Sequence, residues 1–96
     1  MINILGLAMR ARKTTVGTDI TIQGVRKKKV KLVILASDAS ANTKKLVHDK
    51  CSTYNVLVIE NLPSNELSNA LGKKNIKVVG IIDEGFSNLI LNQKRK

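Results

Sequence analysis

The chain carries Leu32-Val33-Ile34-Leu35-Ala36 at residues 32–36, an uninterrupted apolar run of strand length. Such a run is typical of a strand covered on both faces. Residues 56–59 are predicted to form a second buried strand, and residues 77–82, which begin with Lys77, a third strand. Helical periodicity separates the runs, and strands that alternate with helices favour parallel pairing with helices on both sides of the sheet. The sequence therefore predicts one α/β domain over residues 1–96, a three-layer α/β/α sandwich around a small mixed sheet.

Two helices are predicted before the first of these strands. One is apolar on the face that carries Leu5 and ends near Lys13. The next follows Gly17, takes Thr18 or Asp19 as its N-cap and runs to about residue 28.

Three more helices are predicted after the strands. The third begins at about Thr43 with Asn42 as its cap. Its core-facing residues are predicted to be Leu46, Val47 and Cys51. The fourth opens at residues 62–64 and ends at Gly72, a favoured residue for leaving a helix. Asp83 caps the fifth, and a basic tail is predicted from about residue 93. The inward-facing residues of the fifth helix are predicted to be Phe86, Leu89 and Ile90.

The charge of the chain indicates a polyanionic partner. Seventeen Lys and Arg residues against seven Asp and Glu residues give a formal net charge of +10, an excess that costs self-repulsion in a compact protein. Much of it lies in the first third of the chain, at Arg10, Arg12, Lys13, Arg26, Lys27, Lys28, Lys29 and Lys31. This clustering favours nucleic-acid binding over a basic surface that only aids solubility.

The aromatic content restricts the mode of binding. Tyr54 and Phe86 are the only aromatic residues, and RNA modules that read single strands by stacking need several on their surface. We therefore predict recognition through phosphate contacts, backbone amides and shape.

Catalytic and metal-binding constellations are weak. His48 and Cys51 lie three residues apart on the predicted third helix, but two ligands make a poor metal site and free cysteines are commonly buried. Neither common glycine-rich phosphate cradle occurs, and the acids form no pair that periodicity brings into one pocket. We predict a protein that is not an enzyme and uses no cofactor or metal.

The chain also carries signals about its compartment. A lone cysteine fits a reducing environment. The apolar residues 1–9 have no basic segment before them and are too short to span a bilayer. These features predict a cytoplasmic protein without a membrane partner.

Two short segments are candidates for contact with RNA. Gly17-Thr18-Asp19 precedes a helix, where backbone N–H groups can approach an anion closely. Lys73-Lys74-Asn75-Ile76 is a short basic loop after the fourth helix. Loops at one end of an α/β sheet converge, so the two segments are expected to lie together.

Several segments resemble the L7Ae family of ribosomal and kink-turn-binding proteins, and its bacterial YlxQ-type branch in particular. They are GLAMRARK at residues 6–13, GTD at 17–19, KLVILASDA at 31–39 and LSNALG at 67–72. The resemblance extends from about Leu5 to Phe86. It implies an α/β/α sandwich that binds kink-turns, which are RNA helices bent sharply at a bulge flanked by tandem G·A pairs.

The resemblance also implies roles for individual residues. In the family a Gly-x-Asn-Glu-x-x-Lys segment opens the second helix and enters the groove beside the G·A pairs. Here Gly17 is kept, whereas Asp19, Ile20 and Gln23 replace the Asn, Glu and Lys. The loop that packs on the extruded nucleotides maps to residues 73–76, and Ser68 stands where a glycine is common.

The resemblance and the charge clusters together predict a monomeric binder of kink-turn RNA, of ribosomal or regulatory origin. The residues expected to approach the bases are Gly17, Thr18, Asp19 and Gln23. Those expected to neutralise phosphates are Arg12, Lys13, Arg26, Lys27, Lys28 and Lys73. The loop contacts are assigned to Lys73, Lys74, Asn75 and Ile76.

Two alternatives remain open. The changes at Asp19, Ile20 and Gln23 are compatible with a ribosome-docking or protein-interaction module that does not recognise kink-turns. Charge alone is compatible with a nonspecific nucleic-acid-coating protein.

Overall fold

A computed structural model describes residues 2–94 as a four-stranded sheet covered on both faces by helices. The strands are β1 (Thr14–Val16), β2 (Leu32–Ala36), β3 (Leu57–Leu62) and β4 (Val78–Ile81). The helices are α1 (Ile2–Arg10), α2 (Thr18–Arg26), α3 (Ala41–Thr53), α4 (Ser64–Leu71) and α5 (Glu84–Lys94). The strand order is β1-β4-β2-β3.

The core lies on both sides of the central strands. Every residue of β2 and of β4 is buried, because α1 packs with α4 and α5 in one layer and α2 packs with α3 in the other. This is the predicted three-layer α/β/α sandwich with a mixed sheet.

The pairing of the strands corrects the expectation of parallel neighbours. β2 and β3 are parallel, but β4 runs antiparallel to both β1 and β2. β4 lies between β2 and β1, an additional short strand that the apolar pattern does not mark. β1 lies between the predicted end of the first helix near Lys13 and the break at Gly17, and α1 stops at Arg10 rather than near Lys13. Arg12 leaves the helix in the left-handed conformation, at φ 59°.

Some predicted side-chain positions also differ. Ser40, not Asn42, caps α3, with its Oγ accepting the Thr43 N–H at 3.2 Å. Leu46 and Leu89 are exposed. Each immediately precedes a buried residue of its helix, Val47 or Ile90, and so lies outside the buried face. β3 is an edge strand and its Leu57 is 60% exposed, so this strand is only half-buried.

Other predicted features are present. Gly72 ends α4 at φ 67°, and the Asp83 carboxylate accepts the Phe86 N–H at 2.9 Å at the start of α5. The predicted basic tail begins inside α5, which continues to Lys94. Its remaining part, residues 95–96, lies outside the described residues.

Backbone hydrogen bonds define two opposite ends of the sheet. At the first, the Gly17 N–H donates to the Val78 carbonyl at 2.9 Å and the Ala36 N–H donates to the Lys77 carbonyl at 2.7 Å. We call this the Gly17 end. At the other, which we call the Lys31 end, the Lys31 N–H donates to the Ile81 carbonyl at 2.7 Å. β2 separates the two ends by about 16 Å, since it rises about 3.3 Å for each of its five residues.

Candidate nucleic-acid interface

Gly17 joins β1 to α2 at the Gly17 end. Its φ of 106° and ψ of 158° lie where side-chain-bearing residues are strained. No side chain caps α2 at this position. Within residues 2–94, the N–H groups of Thr18, Asp19 and Ile20 donate no hydrogen bond to another residue. The segment therefore presents a helix N-terminus with donors directed outward, which favours negative charge or carbonyl acceptors.

The exposed face of α2 begins at this terminus. Asp19, Ile20 and Gln23 are exposed on the first two turns, and Arg26 and Lys27 are exposed on the last. Ile20 is 59% exposed, so an apolar side chain stands beside the free amides. Thr21, Ile22 and Val25 anchor the opposite face in the core, so the orientation of the exposed face is fixed.

The loop of residues 73–76 is held at the same end of the sheet. The Lys73 N–H donates to the Ser68 carbonyl and the Gly72 N–H donates to the Asn69 carbonyl, at 2.9 and 3.1 Å. These two bonds form a Schellman motif at the end of α4. The loop then turns through Asn75 at φ 58°. The structure thus brings the loop close to Gly17, because Val78, which accepts the Gly17 N–H, lies two residues after the loop.

Ser68 fixes the far side of this loop. Its side chain is buried, and its Oγ accepts the Ile76 N–H at 2.9 Å. A glycine at this position has no acceptor to offer, so the serine closes the loop in a way that sequence reasoning did not foresee. The backbone of the loop is consequently fastened at both of its ends.

A second network at this end was also missed from the sequence. The Asp38 carboxylate accepts the Ser64 N–H and the Ser64 hydroxyl, both at 2.7 Å. Lys77 donates its Nζ to the Ser64 Oγ at 3.0 Å and lies 3.7 Å from Asp38 Oδ2. Hydrogen bonds from Ser64 lower the pKa of Asp38 below its usual value. Asp38 therefore caps α4 from 26 residues away and ties the ends of β2, α4 and β4 together.

A polar groove lies between α4 and the loop. It has a volume of about 280 Å³ and is lined by Ser64, Asn65, Ser68, Asn69, Lys73, Lys74 and Asn75. Three amide side chains and two ammonium groups supply donors for phosphate oxygens and for base edges. The groove adds these donors to the Gly17 end of the sheet, beside the loop of residues 73–76.

The basic residues predicted to act with Gly17 are divided between the two ends. α2 has nine residues and a length of about 13 Å, so its last turn stands at the far end of the helix from Gly17. Arg26 and Lys27 occupy that last turn, and Lys28 follows it. Lys13 lies at the Lys31 end, where its carbonyl accepts the Ile82 N–H at 2.9 Å. The structure therefore does not bring Arg12, Lys13 and Lys28 next to Gly17.

α3 carries no catalytic or metal-binding arrangement among the described residues. His48 Nε2 lies 2.8 Å from Glu60 Oε1, and Lys44 Nζ lies 3.0 Å from Glu60 Oε2. The hydrogen bond with His48, which has the larger effect, and the one with Lys44 lower the pKa of Glu60 below its usual value. Cys51 is buried, and desolvation raises its pKa to about 11. In residues 2–94, no three His, Cys, Asp or Glu side chains cluster to hold a metal ion. In the same range, no helix is long and apolar enough to cross a membrane.

A sequence profile of the ribosomal protein L7Ae/L30e/S12e/Gadd45 family matches residues 2–91. The chain belongs to this family. Membership confirms the predicted relationship, and the L7Ae/L30e/S12e/Gadd45 profile covers both ends of the sheet and all five helices, apart from the last turn of α5.

Two curated relatives in this L7Ae-related group are bacterial. RNA-binding protein YlxQ of Enterococcus faecium is 47% identical over 85 residues, which cover 88% of this chain and 82% of the relative. RNA-binding protein YlxQ of Bacillus subtilis (strain 168) is 42% identical over 89 residues, or 93% of this chain and 89% of the relative. Both names describe RNA-binding proteins rather than enzymes, in agreement with the predicted class.

Solved structures with the L7Ae-type fold match closely. A protein of unknown function from Bacillus halodurans C superposes with a TM-score of 0.94 at 37% identity, covering 99% of this chain and 96% of that protein. The Giardia lamblia 15.5kD RNA binding protein superposes with a TM-score of 0.79 at 20% identity, and the match covers 95% of this chain and 78% of that protein. The second likeness establishes the fold.

Proposed function

We propose that this protein binds structured RNA of the kink-turn type through the Gly17 end of its sheet. The observation that carries the proposal is the combination, at that end, of an uncapped helix N-terminus with the fastened loop of residues 73–76. The family and the RNA-binding names of two relatives support RNA as the ligand. The net charge of +10 supports a phosphate backbone as the main electrostatic partner.

The recognition has two parts. The N–H groups of Thr18, Asp19 and Ile20 donate to acceptors in the widened groove of a bent RNA helix, where a helix end can enter. The loop of residues 73–76 packs on nucleotides extruded at the bend, and Lys73 and Lys74 neutralise nearby phosphates. A straight A-form helix has a deep and narrow major groove that side chains cannot read, so the same surface discriminates against it.

The test is an anisotropy titration of two RNAs of equal length, one with a kink-turn and one fully paired. Lys73→Gln removes one exposed lysine charge at the Gly17 end, and the control Lys45→Gln removes one on α3. We expect tighter binding to the kinked RNA and a greater loss for Lys73→Gln than for Lys45→Gln. Equal affinity for both RNAs would indicate a nonspecific coating protein, and no binding to either would indicate a docking module.

We also propose that the protein acts as a monomer in the cytoplasm. The buried, unpaired Cys51 supports a reducing compartment, and each chain carries both the α2 amides and the loop of residues 73–76. Light scattering of the free protein and of its RNA complex should give one protein chain in each. Two chains per RNA element would contradict this part of the proposal.

A further inference from the structure

A second cleft lies at the Lys31 end, between the loop that follows α2 and the loop that follows α3. It has a volume of about 230 Å³, with Val25 and Val30 buried at its base. Its rim carries Lys28, Lys31, Tyr54 and Asn55, all of which are exposed. Tyr54 is 36% exposed and is the only tyrosine of the chain. The cleft therefore combines one aromatic ring with two ammonium groups and one amide.

Both loops around the cleft have fixed backbones. After α2, the Lys29 N–H donates to the Gly24 carbonyl at 2.9 Å and the Lys28 N–H donates to the Val25 carbonyl at 3.1 Å. After α3, the Val56 N–H donates to the Cys51 carbonyl at 2.8 Å. The rim groups are thus held on two closed helix ends rather than on free loops.

The backbone conformation at the rim is costly for the residues that occupy it. Lys28 and Asn55 have φ values of 61° and 58°. Asn tolerates this left-handed conformation, but lysine is strained there, and glycine is the usual residue at such a helix end. A strained residue that persists where glycine fits better is often found at a binding site. From this position Lys28 lines the cleft together with Lys31.

The surrounding charge favours an anion. Arg26, Lys27 and Lys29 flank Lys28 in the chain and are exposed. The acid nearest to this end along β4 is Asp83, whose carboxylate accepts the Phe86 N–H at the start of α5. α5 belongs to the opposite layer from α2 and α3, so this carboxylate is separated from the cleft by the sheet.

We propose that this cleft binds an unpaired nucleotide of an RNA strand, with its base stacked on Tyr54 and its flanking phosphates on Lys28 and Lys31. Base stacking on an aromatic side chain and phosphate contact from lysines are the two elements of single-strand recognition. The exposed Arg26 and Lys27 lie between the cleft and the first turns of α2, so a strand can pass from one end to the other. The cleft contact is independent of kink-turn recognition at the Gly17 end.

Direct binding can be followed by the fluorescence of Tyr54, because the chain has one tyrosine and no tryptophan. The probes are octa-adenylate, which has bases and phosphates, and inorganic polyphosphate of matched charge, which has phosphates only. We expect saturable quenching with octa-adenylate and little change with polyphosphate. Equal responses to the two probes, or no response to octa-adenylate at binding concentrations, would overturn the stacking assignment.

Variants separate the cleft from general charge. With labelled octa-adenylate, Tyr54→Leu should weaken binding about fivefold or more, since a base stack contributes about 1–3 kcal/mol. Lys31→Gln should reduce the slope of log K against log [salt] by about 0.7, the value for one phosphate contact on a single strand. The control Lys45→Gln lies on α3, about 13 Å along the helix from Tyr54, and should leave the slope unchanged. Equal effects of Lys31→Gln and Lys45→Gln would contradict the site.

Lys28→Gly distinguishes a loss of RNA affinity at the cleft from a loss caused by misfolding. Removing the strained side chain should leave the melting temperature unchanged or raise it, whereas affinity for octa-adenylate should fall. Undiminished affinity in this variant would overturn the role of Lys28. The ratio of kink-turn to duplex affinity should persist in all the cleft variants. Failure of the cleft is therefore distinguishable from failure of the proposed function at the Gly17 end.

Discussion

Gly17 sets the geometry at the start of α2 through its backbone alone. Its amide bonds to Val78, its φ is 106°, and no atom outside its neighbours lies within 4 Å of where a Cβ would stand. A side chain there meets no obstacle, so the cost of a substitution comes from the backbone conformation.

Gly17→Ala is therefore expected to destabilise the protein by about 1–2 kcal/mol, the usual cost of a left-handed or similarly strained residue. It should also weaken RNA binding, because relaxation of φ turns the α2 amides away. Urea unfolding and RNA titration measure the two effects. Gly6→Ala is the control, since its new Cβ meets the Ala70 carbonyl at an ordinary 3.4 Å. Equal stability of the two variants would contradict the strain argument.

Gln23 is the position where a single charge can strengthen the proposed interface. It is exposed one turn beyond Asp19, and side chains on a helix lean toward its N-terminus. Gln23→Lys replaces a neutral hydrogen bond by a charged one, which should tighten binding by about 0.5–1.5 kcal/mol, or about 2- to 12-fold. The gain should be greater for kinked RNA than for a plain duplex. Equal gains in the two titrations would mean that the lysine adds only diffuse charge.

Cys51 is predicted to be chemically inert in the folded protein. Burial raises its pKa to about 11, so the reactive thiolate is scarce near pH 8 and the sulfur is shielded as well. Iodoacetamide at pH 8 should modify Cys51 slowly in native protein and rapidly in urea. Mass spectrometry of timed samples measures both rates. Rapid, complete labelling of native protein would show that α3 does not cover this thiol.

At the scale of elements, Asp38 joins three segments that the sequence separates. Its bonds to Ser64 cap α4, because Pro63 at the N-cap has no side-chain donor or acceptor to use. Loss of this carboxylate should loosen α4 and the loop that follows it. The Gly17 end therefore depends on a residue that contacts no RNA in the proposed complex.

Asp38→Ala should lower the urea midpoint, whereas Asp49→Ala on exposed α3 should change it little. The pKa of Asp38 is lowered by folding, so its contribution is present above the usual value of 3.8 and is lost as the pH falls through the lower folded value. The difference between wild type and Asp38→Ala should accordingly shrink below about pH 3.8. A difference that stays constant down to pH 2 would show that the carboxylate charge is not involved.

Helices and strands with a strong apolar pattern could be predicted from the sequence, whereas elements without such a pattern could not. β2 and α2 follow from continuous or periodic apolar residues. β1 has only three residues, two of them threonine, so no strand was predicted there. β4 pairs antiparallel with β1 and with β2, and the capping of α4 depends on the distant Asp38. Local sequence carries no signal for either contact, since each joins residues far apart in the chain.

The candidate site was predictable to a similar extent. Gly17 and the loop of residues 73–76 were identified from composition and family resemblance, and the structure brings them to one end of the sheet. The contribution of Ser68 was not foreseen, because it depends on a buried hydrogen bond across the loop. The basic residues were expected to act together, but the backbone bond to Ile82 places Lys13 at the Lys31 end and the length of α2 places Lys28 there.

At the scale of the whole molecule, cations flank both ends of the sheet. Such a distribution favours long-range attraction of RNA, and it makes binding sensitive to salt. If about five phosphates of a paired RNA are contacted, log K should fall against log [salt] with a slope of about −4. Titrations at several KCl concentrations from 50 to 300 mM, spaced by ~100 mM, measure this slope. A slope near zero at measurable affinity would exclude recognition led by the phosphate backbone.

The most direct test of RNA recognition at the Gly17 end is a map of backbone amide shifts by NMR. The protein is titrated with kink-turn RNA and, separately, with a fully paired duplex of equal length. We predict that the kinked RNA shifts the amides of residues 17–20 and 73–76 most, and that the duplex shifts them much less. Unchanged amides in both segments under saturating kinked RNA would contradict the central claim.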